Sequence, residues 1–187
     1  MLKDFTKEKF DIIIQAGQSN AEGSGRGPAE QPYERTPDIW QLDVKKTVIW
    51  ENVPLVQVTY ADEPIALTEA YERQIGGVTY GDLALPFAKD YVKAGLLEKG
   101  RRLLIVRAAV GATGFARDDE VMGHWGEGEV VREKMYELID YAMSLSPDNR
   151  LVALLWHQGE HQSNERGSTR YQRELRQLLL SDQKSVV

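Results

Sequence analysis

The segment DIIIQAGQSN, residues 11–20, decides the fold class of this chain. A short run of β-branched residues that ends at glycine is typical of a buried strand feeding a tight turn. Two later segments have the same form, RRLLIVRAAVG at residues 101–111 and LVALLWHQGE at residues 151–160. The pattern predicts three buried strands, each ending in a polar or glycine-rich loop.

Segments with the apolar spacing of helices lie between these strands and after the last of them. Apolar residues recur every three or four positions between 85 and 96, between 130 and 145, and between 171 and 179, where Thr169 is a suitable N-cap. We expect residues 23–37 to form a loop and residues 39–60 to form an excursion with a small hairpin. Alternating strands and helices predict an α/β protein whose parallel sheet is covered by helices on both faces.

Composition limits the classes of function. A chain of 187 residues fits a single domain, residues 1–187, and 42% hydrophobic with 28% charged residues is ordinary for a globular protein. The formal charge of −6, without a long basic run, argues against nucleic acid or an anionic membrane as the main partner. Because there is no cysteine, disulfides, thiolate metal sites and cysteine nucleophiles are excluded.

The first residues, MLKDFTKEKFD, carry six charges and lack the unbroken apolar stretch of a signal peptide. No later apolar run approaches the roughly 20 residues that span a bilayer. We therefore expect a cytoplasmic location.

The three strand ends place polar groups where ligands bind in parallel sheets. Ser19, in the first turn, can act as a nucleophile beside the positive end of a helix, or Ser19 and Asn20 can simply cap that helix. Gly111 can offer a backbone N–H to a ligand, or it can be a turn glycine. Gln158 can donate its amide to a carbonyl oxygen, or it can be an exposed loop residue. Together, a hydroxyl, a backbone donor and an amide donor at one edge indicate acyl transfer.

Two other kinds of site, for a dinucleotide and for zinc, do not match the residue spacing of this sequence. The glycines of GSGRG, residues 23–27, do not occupy the first strand-to-helix turn, as a dinucleotide fingerprint requires. His157 and His161 are four residues apart, but Gly159 and the preceding strand argue against one helix face, so they do not form a zinc motif. We therefore predict neither a cofactor nor a metal.

The blocks IIIQAGQSNAEG, AAVGATG with the later Trp125, and LLWHQGE resemble the SGNH hydrolase superfamily. They are most similar to its sialate O-acetylesterase and acetylxylan esterase group, carbohydrate esterase family 6. The resemblance covers residues 11–180 in order, and its GQSN and W-x-QGE blocks are distinctive. It implies a three-layer α/β/α, flavodoxin-like fold and a serine esterase that removes O-acetyl groups from carbohydrates.

Carried over by position, the resemblance implies that Ser19 is the nucleophile. The N–H groups of Ser19 and Gly111 and the amide of Gln158 would hold the oxyanion, while Glu160 would brace the loop or join the charge relay. We assign substrate contacts to Gln18, Asn20, Thr113, His124, Trp125 and His161.

The chain departs from the family pattern at several positions. Ala112 stands where the family often has a second glycine, and Gln162 stands where it often has aspartate. The C-terminal Asp-x-x-His that supplies the general base in the family does not occur in this sequence. His161 is then the best substitute base, and we interpret His157 as a hydrogen-bonded structural residue.

A second hypothesis follows from the same departure. The chain would be incomplete at its C-terminus, with two strands of the family missing, and would be an impaired or non-catalytic relative that binds carbohydrate. An apolar sheet edge left open in this way favours a homo-oligomer that covers it.

Overall fold

The structure is a computed structural model that describes residues 5–23, 25–26, 36–44, 64–69, 73–75, 78–81, 83–115, 123–163 and 165–182. Its strands are β1 (Phe10–Gly17), β2 (Gly25–Arg26), β3 (Ile39–Val44), β4 (Pro64–Glu69), β5 (Arg73–Ile75), β6 (Val78–Gly81), β7 (Arg102–Arg107), β8 (Thr113–Gly114), β9 (Gly123–His124) and β10 (Arg150–His157). Its helices are α1 (Ser19–Glu22), α2 (Ala84–Lys93), α3 (Val130–Ser144) and α4 (Glu165–Asp182), with a 3-10 turn at Glu160–Gln162.

The main sheet has the strand order β10-β1-β7-β3-β4. β1 runs parallel to both of its neighbours, β10 and β7, so the three strands predicted from their apolar runs lie side by side. β3 continues the parallel part beside β7, and β4 adds an antiparallel strand at one edge. This order brings the carboxyl ends of β1, β7 and β10 to one edge of the sheet.

Helices cover both faces of this sheet, as predicted. On one face Ile12, Ile14 and Ala16 of β1 share a core with Met135 of α3 and Leu178 of α4. On the other face Ile13 packs with Leu85 and Ala88 of α2. Successive residues of β1 point to opposite faces of the sheet, so its apolar run packs against the helices on both faces. The chain therefore has the expected three-layer α/β/α fold.

Some local predictions differ from the structure. Residues 39–44 form β3, a strand of the main sheet that runs parallel to β7 and antiparallel to β4. The rest of the predicted excursion with a small hairpin, residues 45–60, lies outside the described residues. Thr169 does not cap the last helix, because α4 begins at Glu165 and Thr169 lies inside it. The apolar spacing marks only the buried stripe of α4 and says little about its polar first turn.

The two smaller sheets lie outside the three-layer core pattern. β2, β6 and β5 form an antiparallel sheet, and β8 pairs with β9 in parallel. Within the part of the chain that the structure describes, no helix has the length and apolarity needed to cross a bilayer.

A buried carboxylate fixes the opposite edge of the main sheet. Asp11, at the start of β1, is fully buried. It accepts hydrogen bonds from Arg101 Nε at 2.5 Å and Arg150 Nε at 2.7 Å. Burial alone would raise the pKa of Asp11, but the hydrogen bonds and positive charges of Arg150 and Arg101 outweigh burial and lower it below 3.8. The three side chains thereby join β1 to Arg101, directly before β7, and to Arg150, the first residue of β10.

Asp11→Asn is expected to lower the free energy of unfolding by about 3 kcal/mol at neutral pH, because it leaves two arginines without their buried carboxylate. The pKa of Asp11 is lower in the folded chain, so its contribution is present above the ordinary value of 3.8 and is lost as the pH falls through the folded value. Urea unfolding at several pH values measures both effects. Asp140→Asn, at an exposed site of α3, is the control; equal stability of the two variants at neutral pH would contradict the prediction.

Candidate active site

Gly17 locks the end of β1 to its neighbours. It has φ +124°, and a Cβ there would collide with the backbone carbonyl of His157. The next residue, Gln18, donates its N–H to the His157 oxygen at 3.0 Å, while Val110 donates its N–H to the Gly17 oxygen at 2.9 Å. The ends of the three predicted strands are therefore joined by backbone hydrogen bonds directly before Ser19.

Ser19 lies against Gly111. Ser19 is half-buried and is the first residue of α1. A Cβ added to Gly111 would lie 3.7 Å from Ser19 Cβ and 3.8 Å from Ser19 Cα. The structure thus places these two predicted site residues close together at the sheet edge. Since α1 has only four residues, its dipole is smaller than the one expected from the sequence.

The Gly111 N–H has an acceptor that the sequence analysis did not single out. It donates to Glu22 Oε2 at 2.9 Å. Glu22 lies three residues after Ser19 on α1, a spacing that places two side chains on the same side of a helical turn. That spacing was available in the sequence as a signal.

Gln158 is buried, and its side-chain NH2 group donates two hydrogen bonds to protein acceptors. Its Nε2 donates to the Thr113 oxygen at 3.2 Å and to Gln162 Oε1 at 2.6 Å, while its own Oε1 is buried without a partner among the described residues. Gln162 therefore fixes the Gln158 amide. Gln158 can donate to an oxyanion only when one of these two hydrogen bonds opens.

Glu160 bridges the two strand-end loops. Its Oε1 accepts a hydrogen bond from Asn20 Nδ2 at 2.6 Å and lies 3.7 Å from His157 Nε2. The hydrogen bond from Asn20 ties Glu160 to the residue beside Ser19. The His157 side chain is 49% exposed and faces this carboxylate, so it is placed at the site edge and not in the core.

Thr113 and Trp125 lie in the core, which does not fit the substrate contacts predicted for them. Both are fully buried. Trp125 Nε1 donates to Thr113 Oγ1 at 2.8 Å, and Thr113 Oγ1 donates to the Val110 oxygen at 2.8 Å. The Trp125 ring also packs edge-on to Trp156, with 5.0 Å between centroids. These contacts hold the loop that carries Gly111, so both residues support the site from behind.

The other predicted substrate contacts differ in exposure. Gln18 is buried with an Oε1 that has no partner among the described residues, and Asn20 is exposed. His124 is half-buried, with a buried Nδ1 that likewise lacks a hydrogen-bond partner in the described part of the chain. His161 is exposed in the 3-10 turn.

Tyr171 of α4 is a supporting residue that the sequence analysis treated only as part of a helix face. Its hydroxyl donates to the Gln158 backbone oxygen and accepts from Trp156 Nε1 at 3.0 Å. Burial is the main cause that raises the pKa of Tyr171, which keeps the hydroxyl protonated as a donor. Helix α4 thus holds the loop that follows β10.

Histidine and carboxylate side chains do not converge as a metal site would require. Across the residues with described positions, no group of three or more of them could hold an ion.

Comparisons with known proteins give the family of the chain and support its fold. The family profile described as "Carbohydrate esterase, sialic acid-specific acetylesterase" matches residues 9–186. Curated proteins give no match. Among solved structures, NanS is similar with a TM-score of 0.54 and 18% identity over 92% of this chain. A protein from Arabidopsis thaliana is similar with a TM-score of 0.63 and 19% identity, also over 92% of this chain.

The chain spans 64% of the length of NanS and 68% of the length of the Arabidopsis protein. At these identities the two structures show a shared fold, while the profile covers nearly the whole chain. The chain therefore belongs to the carbohydrate esterase family of sialic acid-specific acetylesterases.

Proposed function

We propose that this chain hydrolyses O-acetyl esters of carbohydrates, with O-acetylated sialic acid as the preferred substrate and Ser19 as the nucleophile. The observation that carries the proposal is the closeness of Ser19 and Gly111 at the carboxyl edge of the sheet, where a Cβ built on Gly111 would lie 3.7 Å from Ser19 Cβ. Family membership supplies the reaction class. No metal or cofactor takes part in this proposal.

In the proposed reaction, Ser19 Oγ attacks the acetyl carbonyl and passes its proton to a base. The carbonyl oxygen becomes an oxyanion that accepts hydrogen bonds from the N–H groups of Ser19 and Gly111, with the Gln158 amide as a third donor. The sugar oxygen leaves with a proton, which produces acetyl-Ser19. Water then attacks this ester, and acetate leaves from a second tetrahedral intermediate.

Ser19 needs a base, because a serine hydroxyl is a weak nucleophile at its free pKa. His161 was the substitute predicted from the sequence, and it is exposed in the 3-10 turn. Of the two exposed histidines at this edge, His157 has the better surroundings, because the Glu160 carboxylate lies 3.7 Å from His157 Nε2 and can orient the ring. We therefore place His157 ahead of His161 as the proton acceptor.

Acetate release tests the proposal directly. The purified chain is incubated with O-acetylated sialic acid, with acetylated xylo-oligosaccharide and with p-nitrophenyl acetate, and acetate is measured over time. We expect release above background from all three, with the highest kcat/KM on the sialic acid ester, and slower release after His157→Gln than after His161→Gln. Background rates from a chain with native circular dichroism would contradict the proposal.

Gln158→Ala is expected to lower kcat on p-nitrophenyl acetate by about 100-fold with little change in KM, the size of effect seen when one oxyanion donor is removed. Gln172→Ala removes an exposed amide from α4 and serves as the control. Unchanged turnover in the Gln158 variant would show that this amide does not take part.

The second candidate function is carbohydrate binding by an impaired relative. Two contacts favour it: Glu22 occupies the Gly111 N–H, and both amide hydrogens of Gln158 already have protein acceptors. Binding of O-acetylated sialic acid without acetate release, measured by calorimetry, is the result that this function predicts.

A further inference from the structure

We propose that Glu22 is a further residue of the reaction centre: its carboxylate holds the Gly111 N–H in the free protein and gives it up to the carbonyl oxygen of the substrate. The inference rests on the proposed function and names the group that the substrate displaces.

The geometry places the carboxylate where a substrate oxygen would accept. Glu22 Oε2 is 2.9 Å from the Gly111 nitrogen. A Cβ on Gly111 would lie 3.1 Å from this oxygen and 3.7 Å from Ser19 Cβ, so the carboxylate, the N–H donor and the serine share one small volume. Glu22 is half-buried, which strengthens the hydrogen bond relative to one in water.

The carboxylate and an oxyanion cannot use the Gly111 N–H together. Each is a charged oxygen acceptor, and two negative charges at hydrogen-bond distance from one donor repel each other. The oxyanion formed from a bound ester can therefore receive this hydrogen bond only when the Glu22 side chain rotates away. Glu22 thus competes with the substrate for the Gly111 N–H, and free acetate competes with Glu22 for the same N–H.

Kinetics of two Glu22 variants measure the competition. Glu22→Ala removes the acceptor, and we expect kcat/KM on p-nitrophenyl acetate to rise about tenfold, the factor that corresponds to one hydrogen bond to a charged group. Glu22→Gln keeps a neutral acceptor, which bonds more weakly, so its kcat/KM should lie between wild type and the alanine variant. Glu133→Ala removes an exposed carboxylate from α3 and should leave kcat/KM unchanged.

A second measurement does not depend on turnover. In amide NMR spectra, the Gly111 proton should move upfield in Glu22→Ala because it loses a charged acceptor, and added acetate should shift it back at lower concentrations than in wild type. This result separates the two proposals: it can stand when no acetate is released, in which case the esterase assignment alone fails.

The inference is overturned by either of two outcomes. One is a Gly111 proton that neither moves in Glu22→Ala nor responds to acetate more readily than in wild type. The other is a kcat/KM in Glu22→Ala at or below that of the wild type in an active enzyme, which would mean that Glu22 positions the Gly111 loop for catalysis and does not compete with substrate.

Discussion

Ser19→Ala is expected to lower kcat/KM for acetate release by at least about 1,000-fold, because it removes the atom that forms the covalent intermediate. The remaining groups of the site can still bind the ester and polarise its carbonyl, so a small residual rate above water is expected. The measurement is acetate release from p-nitrophenyl acetate and from O-acetylated sialic acid at equal protein concentration.

The matched control is Ser144→Ala, at an exposed position at the end of α3, where the hydroxyl donates only to a nearby backbone oxygen in the same helix. It should retain full activity. If Ser19→Ala retains more than about a tenth of wild-type kcat/KM, the covalent role of Ser19 is wrong, since loss of a nucleophile reduces turnover far more than that.

Gly17→Ala is expected to lower the free energy of unfolding by about 4 kcal/mol or more. Losses of this size are exceptional for single substitutions, and strain in a buried backbone is one of their causes. Two causes add. The backbone at φ +124° is rarely adopted by residues with a Cβ, and the new Cβ would overlap the His157 carbonyl. Relief of the overlap must separate β1 from β10, which also breaks the Gln18 to His157 hydrogen bond beside Ser19.

Gly95→Ala is the reference variant. Gly95 has φ +71°, in the left-handed region, and nothing lies within 4 Å of a Cβ added there. This variant carries only the milder strain of the left-handed region and no collision, so its cost should be about 1 kcal/mol. Urea unfolding measures both variants. Equal costs at the two positions would mean that the contact between Gly17 and His157 does not constrain the strand ends.

Much of the fold could be predicted from the sequence, because the buried strands have a pattern that does not depend on distant residues. The apolar runs of β1, β7 and β10 and the stripes of α2, α3 and α4 were all found in this way. The segment IWQLDV is compatible both with the predicted excursion over residues 39–60 and with a strand of the main sheet, so its sequence alone does not place β3. Only its register with β7 and its distant partner β4 distinguish the two.

The site was predicted in outline and not in its contacts. The topology of a parallel sheet is enough to bring Ser19, Gly111 and the loop after β10 to one edge. Whether a polar group is free depends on its partners in three dimensions, which is why the Glu22 acceptor at Gly111 was missed. Trp125 is a predicted substrate contact from its place in the loop after AAVGATG, yet its indole N–H donates to buried Thr113. The cytoplasmic location and self-association stay predictions from the sequence.

The most direct test of the central claim, that Ser19 carries the acetyl group, is intact-mass spectrometry of the protein quenched during turnover of p-nitrophenyl acetate, followed by peptide mapping. The account predicts a mass increase of one acetyl group in the wild type, located on the peptide that contains Ser19 and absent in Ser19→Ala. Turnover without any acetylated protein, or an acetyl group that persists at another residue in both proteins, would contradict it.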